Sequence, residues 1–414
     1  MSKLALLGGV KAVGKLFVQW PVFDEGDVAA VSAVLRSGKW FRYDGEKNTE
    51  FEAAFARYCG VRHALAVTNG TAALEIPLAV LGIGPGDEVI VPSYTFYSTA
   101  SAVLFMGATP VFCDIDPESY NLNIDEVERL ITPRTKAIFP VHFAGLPVDM
   151  DRLNAIAARH GLAVIEDCAH SHGSQYKGRM TGSLSQAAAF SFQASKNLTS
   201  GEGGVILTDD DDLYAAMYSR HTCGRKLGRP WYEHHAVASN LRLTEMQAAL
   251  LLTQLARMEE QTQQRLQNAR HIEAALAGCP ALKTVQREQS WSTRRAYHLF
   301  LLQYAPGIEG VSRELFLQAL QAEGLPVTGG YPMPLYRQPV FGQVEPPQGQ
   351  APYSELSQPG AEHCCRTTVW IPQNCLLGGP EYGDAVAKAI GKVVDSADEL
   401  RTYAAGHAGM MPVP

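Results

Sequence analysis

Three stretches of this 414-residue chain combine residue types and spacings that could do chemistry. The first is VTNGTAAL (67–74). An apolar strand runs out at Thr68, Asn69-Gly70-Thr71 makes a turn, and a helical pattern begins. Amides left unpaired at a helix start, the helix dipole and the Thr71 hydroxyl together suit a phosphate group. The plainer reading, Thr71 as a helix N-cap, stands beside it. The second stretch is VIEDCAHSHG (164–173). It puts Glu166 and Asp167 at the end of an apolar strand, followed by His170 and His172. Asp167 reads either as a satisfied structural carboxylate or as a buried anion that needs a cation. Two histidines so near an acid also raise a metal, but no third ligand motif accompanies them and none is expected. The third stretch, SFQASKNLTSGEGG (191–204), sets Lys196 in a polar, glycine-containing loop just past another strand end. A lone lysine there is by default a solvated surface group; partly desolvated in a cleft, it becomes a usable nucleophile. Ser191 adds a hydroxyl that could bind phosphate.

The order of the three counts for more than any one of them: a phosphate loop, an acid at a strand end, a lysine past a later strand. Pyridoxal 5'-phosphate (PLP) has a part for each. Its aldehyde takes an amine, its phosphate a cradle, and its pyridine nitrogen an anion that keeps the ring protonated and electron-withdrawing. His170, three residues after Asp167, could reach the phenolic oxygen of such a ring.

The elements that must position these groups alternate. From about residue 50 to 210, helical stretches such as EFEAAFARYCG, TAALEIPLAVLGI and DMDRLNAIAARHG are interleaved with short apolar strands. The strands are HALAVTNG, EVIVPS, TPVFCDID, KAIFPVHFAG, LAVIEDC, AAAFSFQ and GGVILTD. This alternation predicts an α/β fold with a largely parallel sheet covered on both faces. Ligands in such sheets bind at the carboxyl ends of the strands, where all three clusters fall. A long helix over 244–276 bridges to a smaller α/β unit, which contains YHLFLLQY, VSRELFLQALQAEG, a Pro/Gly-rich segment from 329 to 359, the helix EYGDAVAKAIGKVVDSA and a loose tail. We divide the chain into a large domain over 15–260 and a small one over 261–414, with 1–14 packing against the latter.

Composition sets outer bounds. A net charge of -7 disfavours nucleic acid or an anionic membrane as partner. No apolar run is long enough to span a bilayer, the N-terminus lacks a signal-peptide layout, and a cytoplasmic enzyme is expected. The eight cysteines are scattered without a CxxC pair and read as reduced thiols. His363, Cys364 and Cys365 adjoin one another, but neighbouring side chains rarely converge on one ion.

The sequence also resembles a known family: the keto-sugar and keto-cyclitol aminotransferases of the DegT/DnrJ/EryC1/StrS group, within the fold type I (aspartate-aminotransferase-like) PLP enzymes. The matching stretches run from about residue 20 to 390: NGTAAL, PSYTFYST, DIDPESYNLNIDEVE, PVHFAGLPVDMD, IEDCAHSHG, SFQASKNLTSGEGG, SNLRLTEMQAAL and YPMPLYRQPVF. The resemblance implies that Lys196 forms the Schiff base and later moves the proton, and that Asp167 pairs with the pyridine nitrogen. It places His170, where many relatives have Gln, at the ring oxygen and Phe96 on the ring face. It gives the phosphate to Gly70, Thr71 and Ser191, and to Asn240 from a neighbouring subunit, hence a homodimer with shared active sites. It implies an amino donor, L-glutamine or L-glutamate, and a ketone acceptor. LALLGG, EDCAHSHG and WIPQNCLLG resemble the L-glutamine:scyllo-inosose enzymes of aminoglycoside-type biosynthesis. A nucleotide-sugar aminotransferase is the main alternative, with a 3-amino-5-hydroxybenzoate synthase-like enzyme behind it. Dehydratase relatives replace the lysine, commonly with histidine, and a non-catalytic regulator would not need it; Lys196 speaks against both. Tyr331, Tyr336, His142, Arg225 and Arg229 are candidate substrate contacts, each equally readable as a packing or surface group. The family often carries histidine where Tyr336 stands.

Overall fold

The computed structural model describes residues 3–14, 16–286, 289–347, 349 and 351–406. Helices α1 (Glu25–Ser37) and α2 (Lys47–Cys59) lead into β1 (His63–Val67), α3 (Gly70–Val80), β2 (Glu88–Pro92) and α4 (Ser98–Phe105). Then come β3 (Thr109–Cys113), α5 (Ile124–Leu130), β4 (Thr135–Ile138), α6 (Met150–His160) and β5 (Ala163–Asp167). A short hairpin, β6 (Gln175–Tyr176) and β7 (Arg179–Met180), precedes β8 (Ala187–Ser191), β9 (Gly204–Thr208), α7 (Asp211–His221) and the long α8 (Glu245–Ala275). The remainder holds β10 (Lys283–Thr284), β11 (Ser292–Arg294), β12 (Leu299–Gln303), α9 (Arg313–Ala322), α10 (Pro359–Thr367), β13 (Thr368–Pro372), α11 (Glu381–Asp395) and α12 (Ala397–Gly406).

Seven strands form the central sheet in the order β1-β9-β8-β5-β4-β2-β3. The run from β3 to β8 is parallel. Its strands are apolar on both faces because both are covered: Val89 and Val91 pack with α3 and α4, while Ile90 and Ile138 pack with α5 and α6. Strand β9 alone runs antiparallel, to β1 on one side and β8 on the other. No helix lies between β8 and β9, so the chain has no crossover and must return in the opposite direction. That return loop carries Lys196.

Two glycines draw the end of this loop against α3. A Cβ on Gly204 would lie 2.4 Å from the Asn69 carbonyl oxygen, and one on Gly70 would lie 2.7 Å from Ser191 Cβ. Any side chain at either position would push the amino end of α3 away from the ends of β8 and β9.

Helix α8 starts at a capping box in which Thr244 and Gln247 cap each other. It packs against α1, α2 and α11. Beyond it, β10, β12 and β13 form a second, antiparallel sheet. Phe300, Leu302, Val369 and Ile371 of that sheet share a core with Phe316, Val386 and Ile390, and with Leu4 and Val13 near the N-terminus.

Two expectations need correction. The strand anticipated over KAIFPVHFAG ends at Ile138; Val141 makes only a single bridge, to Asp167, before a 3-10 turn over Phe143–Gly145. The anticipated loose tail contains α12, anchored by fully buried Leu400. Residues 407–414 of that tail lie outside the described residues. Helix α1, capped by Asp24, and the α10–β13 unit were not legible in the sequence. All eight cysteines are free thiols. Among the described residues no helix is long and apolar enough to cross a membrane.

Helix α2 is fixed to β1 by a buried ion pair. Arg42 meets Glu52 through two bonds, of 2.7 and 2.8 Å, and Glu52 also accepts from the Ala66 amide at 2.7 Å. Removing one partner strands the other without solvent. Glu52→Ala is therefore expected to lower the unfolding free energy by about 3–5 kcal/mol in urea titrations. A loss below about 1 kcal/mol, the range of exposed pairs, would mean that the pair does not tie the helix down.

Candidate active site

The carboxyl ends of β5 and β8 and the amino end of α3 open onto one cavity of about 650 Å³. Asp167 is the last residue of β5 and Ser191 the last of β8. Gly70 is the first residue of α3, and Lys196 stands in the β8–β9 loop. All four line the cavity.

Asp167 is buried, and two donors aim its carboxylate. Thr99 of α4 gives its hydroxyl to Oδ2 at 2.9 Å, and the Ala169 amide reaches Oδ1 at 3.1 Å. Because the Thr99 proton is spent on Asp167, the Thr95 hydroxyl donates to Thr99 at 3.1 Å. Burial raises the Asp167 pKa, opposed by these two bonds and by the nearby Lys196. It is a carboxylate short of a cation.

Lys196 has the complementary problem. Desolvation pulls its pKa down to about 8, with only Asp167 pulling the other way. A fraction of the amine is then unprotonated near neutral pH.

Thr71 is not the cap of α3. Asn69 is the cap of α3: its Oδ1 accepts the Ala72 amide at 2.8 Å. The first bond back to the turn is from Ala73 to the Asn69 carbonyl, which leaves the amides of Gly70 and Thr71 at the helix mouth without an intrahelical acceptor. The Thr71 hydroxyl stands 2.7 Å from that of Ser98, and Ser191 Oγ accepts from the Gln193 amide at 3.3 Å. Amides and hydroxyls at a helix N-terminus are a cradle for an anion.

His170 is buried, and its Nδ1 accepts the Ala144 amide at 3.4 Å, so the proton sits on Nε2. Burial, then the neighbouring Lys196, drives its pKa well below the ordinary value and keeps it neutral. Phe96 is 57% exposed in the cavity wall, a large ring with an uncovered face.

The structure does not bring every candidate to this place. Asn240 is exposed, makes a bridge to Thr222, and is not part of its own chain's cavity wall. Tyr331 lines the cavity, but Tyr336 is a packing residue whose hydroxyl donates to Glu362 at 2.9 Å. Arg225 and Arg229 lie on an exposed loop, where the Arg225 guanidinium sits 4.8 Å from the Trp231 ring centre. His142 is a buried prop behind Asp167. Its Nδ1 accepts the Val148 amide at 3.0 Å, so Nε2 donates to Glu166 at 2.9 Å. Glu166 also accepts the Gly182 and Leu184 amides at 2.8 and 2.9 Å. His142, Glu166 and Cys168 are the one group of possible metal ligands close enough together among the described residues, and their polar atoms are already engaged.

Sequence reasoning passed over Thr99, Trp20 and His298. Thr99 lay in the helical stretch TFYSTASAVLFMG, where nothing in the sequence marks it as the partner of a distant acid. Trp20 donates its Nε1 to the Ala194 carbonyl at 2.8 Å, laying the N-terminal segment across the lysine loop. His298 lay in an apolar strand pattern and gave no signal.

A desolvated amine, a buried carboxylate, an uncovered aromatic face and an anion cradle fit the aldehyde, ring nitrogen, ring face and phosphate of PLP. Fold and donor set together define the class of PLP-dependent aminotransferases. Residues 21–390 match the DegT/DnrJ/EryC1/StrS aminotransferase family, and the chain belongs to it. It is 36% identical over 380 residues to the 3-amino-5-hydroxybenzoate synthase of Amycolatopsis mediterranei (strain S699), covering 91% of this chain and 97% of that protein. It is 35% identical over 415 residues to a candidate L-glutamine:3-amino-2,3-dideoxy-scyllo-inosose aminotransferase of Streptoalloteichus tenebrarius, covering 97% and 100%. A crystal structure of 3-amino-5-hydroxybenzoic acid synthase superposes with a TM-score of 0.86 at 34% identity, covering 93% of this chain and 100% of that one.

The depressed basicity of Lys196 can be read directly. In apoprotein, the rate of its acylation by an amine-reactive reagent, followed by mass spectrometry, is expected to climb with pH and level off above about 8. A solvated lysine would keep climbing to about 10.4. A plateau only at the higher value would show the amine to be hydrated.

Proposed function

We propose that this enzyme moves an amino group from L-glutamine or L-glutamate to a keto-cyclitol such as scyllo-inosose, using PLP held covalently by Lys196. The observation that carries the cofactor assignment is the meeting of Lys196, Asp167 and the amino end of α3 in one cavity. Bound there, the cofactor supplies an electron sink for the charge left when a proton leaves the substrate carbon. Asp167, aimed by Thr99 and Ala169, holds the proton on the ring nitrogen, an electrostatic contribution fixed before the reaction starts. Lys196, its amine freed by the donor, would take the proton from the donor carbon and, in the second half of the reaction, give one to the acceptor's carbonyl carbon, acting as general base and then general acid. An amine with a pKa near 8 is well matched to both roles at neutral pH. His170 offers its Nε2 proton to the phenolic oxygen, and Phe96 covers the ring face. Gly70, Thr71 and Ser191 hold the phosphate.

The likeness to the scyllo-inosose enzyme across 97% of this chain supports a cyclitol acceptor. The equal sequence likeness to 3-amino-5-hydroxybenzoate synthase, together with its likeness in fold, keeps a second reading in which the acceptor is that enzyme's kind of substrate. Nucleotide-linked keto-sugars are the third class to be tried.

The position of Asn240 supports a homodimer in which it reaches the partner's phosphate site. It is exposed beside a segment that also exposes Leu227, Trp231, Tyr232 and Val237, an apolar patch of the kind that marks an interface.

Two experiments test these assignments. Purified enzyme with L-glutamine and scyllo-inosose is expected to form the aminocyclitol, and Lys196→Ala to lose both this turnover and the visible absorbance band of the cofactor. Absence of turnover with the inosose, alongside turnover of a nucleotide-linked keto-sugar, would discard the cyclitol. Sedimentation is expected to give a dimer, and Asn240→Ala to weaken PLP retention on dialysis by about tenfold, the equivalent of one charge-assisted hydrogen bond; a monomer with unchanged retention would remove Asn240 from the site.

A further inference from the structure

The roles assigned above leave a second imidazole in the cavity without a task. His298 stands immediately before β12, is 6% exposed, and has its ring centre 4.3 Å from that of His170. Its Nδ1 lies 3.2 Å from Asn197 Oδ1. The amide of Asn197 can be oriented without ambiguity, because its Nδ2 donates to the Ala296 carbonyl at 3.0 Å. The oxygen facing His298 is therefore an acceptor, and His298 Nδ1 must carry the proton. Nε2 is left with a lone pair and no hydrogen-bond partner among the described residues, on a ring that lines the cavity. Burial, followed by the neighbouring His170 and Lys196, holds this imidazole neutral. His170 has the opposite tautomer, with its proton on Nε2. Two adjacent rings thus present one donor and one acceptor.

An aminotransferase must admit two different substrates to one cavity. The donors, glutamine and glutamate, carry only a methylene beside the reacting carbon on the side-chain branch. A keto-sugar or keto-cyclitol carries a hydroxyl there. A neutral acceptor distinguishes the two without repelling the donor's charge. Gln373, also in the cavity wall, is less suited as an acceptor: its Oε1 is already taken by Arg265 Nε at 2.9 Å.

We infer that His298 is a specificity-determining residue whose Nε2 accepts a hydrogen bond from the hydroxyl next to the carbonyl of the keto acceptor, and that Asn197 is a positioning residue that fixes the required tautomer. The inference rests on the acceptor being a polyhydroxylated ketone, as proposed above. A buried lone pair left empty by an acceptor lacking the hydroxyl is the situation in which polar sites discriminate most strongly.

The test compares scyllo-inosose with its counterpart lacking both hydroxyls that flank the ketone, together with the single-turnover half-reaction with L-glutamine. Wild-type enzyme is expected to prefer the hydroxylated ketone by about tenfold or more in kcat/KM. His298→Phe should lower kcat/KM for that ketone alone, bringing the ratio close to one and leaving the deoxy ketone and the L-glutamine half-reaction unchanged. His298→Gln, which can place an amide oxygen where Nε2 was, should restore much of the preference. Asn197→Leu should lose part of it. An unchanged ratio in His298→Phe overturns the inference, and so does an equal fall in the half-reaction and with both ketones, which would give His298 a cofactor or structural role. If neither cyclitol is turned over, the cyclitol reading fails separately. The same comparison, with the same two overturning results, is then made on a turned-over nucleotide-linked keto-sugar and its deoxy counterpart.

Discussion

An amine and a carboxylate share one desolvated cavity, and the rest of the site follows from that constraint. Lys196 is less basic than a solvated lysine and Asp167 less acidic than a solvated aspartate, both because burial takes them partly out of bulk water. Each state is unfavourable in isolation. Together they make a place for a group that reacts with an amine at one end and presents a protonated nitrogen at the other. The neutral histidines beside them are part of the same condition. His170 and His298 stay uncharged for want of solvent and because Lys196 is close, so their hydrogen-bonding roles are set by backbone and amide partners, whatever the bulk pH near neutrality.

The fold keeps this arrangement by placing each group on a rigid element or pinning it to one. Asp167 ends a strand buried on both faces, its amide held by the Pro140 carbonyl at 2.8 Å and its carbonyl by the His142 amide at 3.2 Å. Behind it the Glu166 carboxylate gathers His142 and two backbone amides on the opposite side of the same strand. Lys196 is on a loop, but that loop is tied at both ends of its middle section: Trp20 bonds to Ala194, and Asn197 to Ala296 and His298. The second sheet therefore contributes to the site through the segment that leads into it. A loop held this way can present a reactive amine without the mobility of a surface lysine.

Close packing of backbone matters as much as side chains at the anion cradle. The absent side chains of Gly70 and Gly204 let α3 approach the ends of β8 and β9, and Asn69 caps the helix so that Thr71 need not. The antiparallel return of β9, forced by the lack of a crossover helix, brings Gly204 to the Asn69 carbonyl and leaves the intervening lysine loop over the strand ends.

Much of this was legible in the chain alone. Alternating apolar strands and amphipathic helices determine an α/β sheet, because short apolar runs can be buried only when both faces of the sheet are covered. The order of the phosphate turn, the acid and the lysine pointed to PLP, because each group lies at a strand end and the carboxyl ends of parallel strands open to one side, and the family resemblance carried that to a class. What the sequence could not supply depended on contacts between residues far apart in the chain. The partnership of Asp167 with Thr99, the cap of α3 by Asn69 in place of Thr71, and the withdrawal of His142 and Tyr336 into packing were decided only by tertiary structure. So was the pairing of His298 with Asn197, separated by 101 residues. Local periodicity reports which face of an element is dry. Where a polar side chain in that dry region finds its partner is fixed by packing geometry, since an unpaired polar group there is too unfavourable to persist.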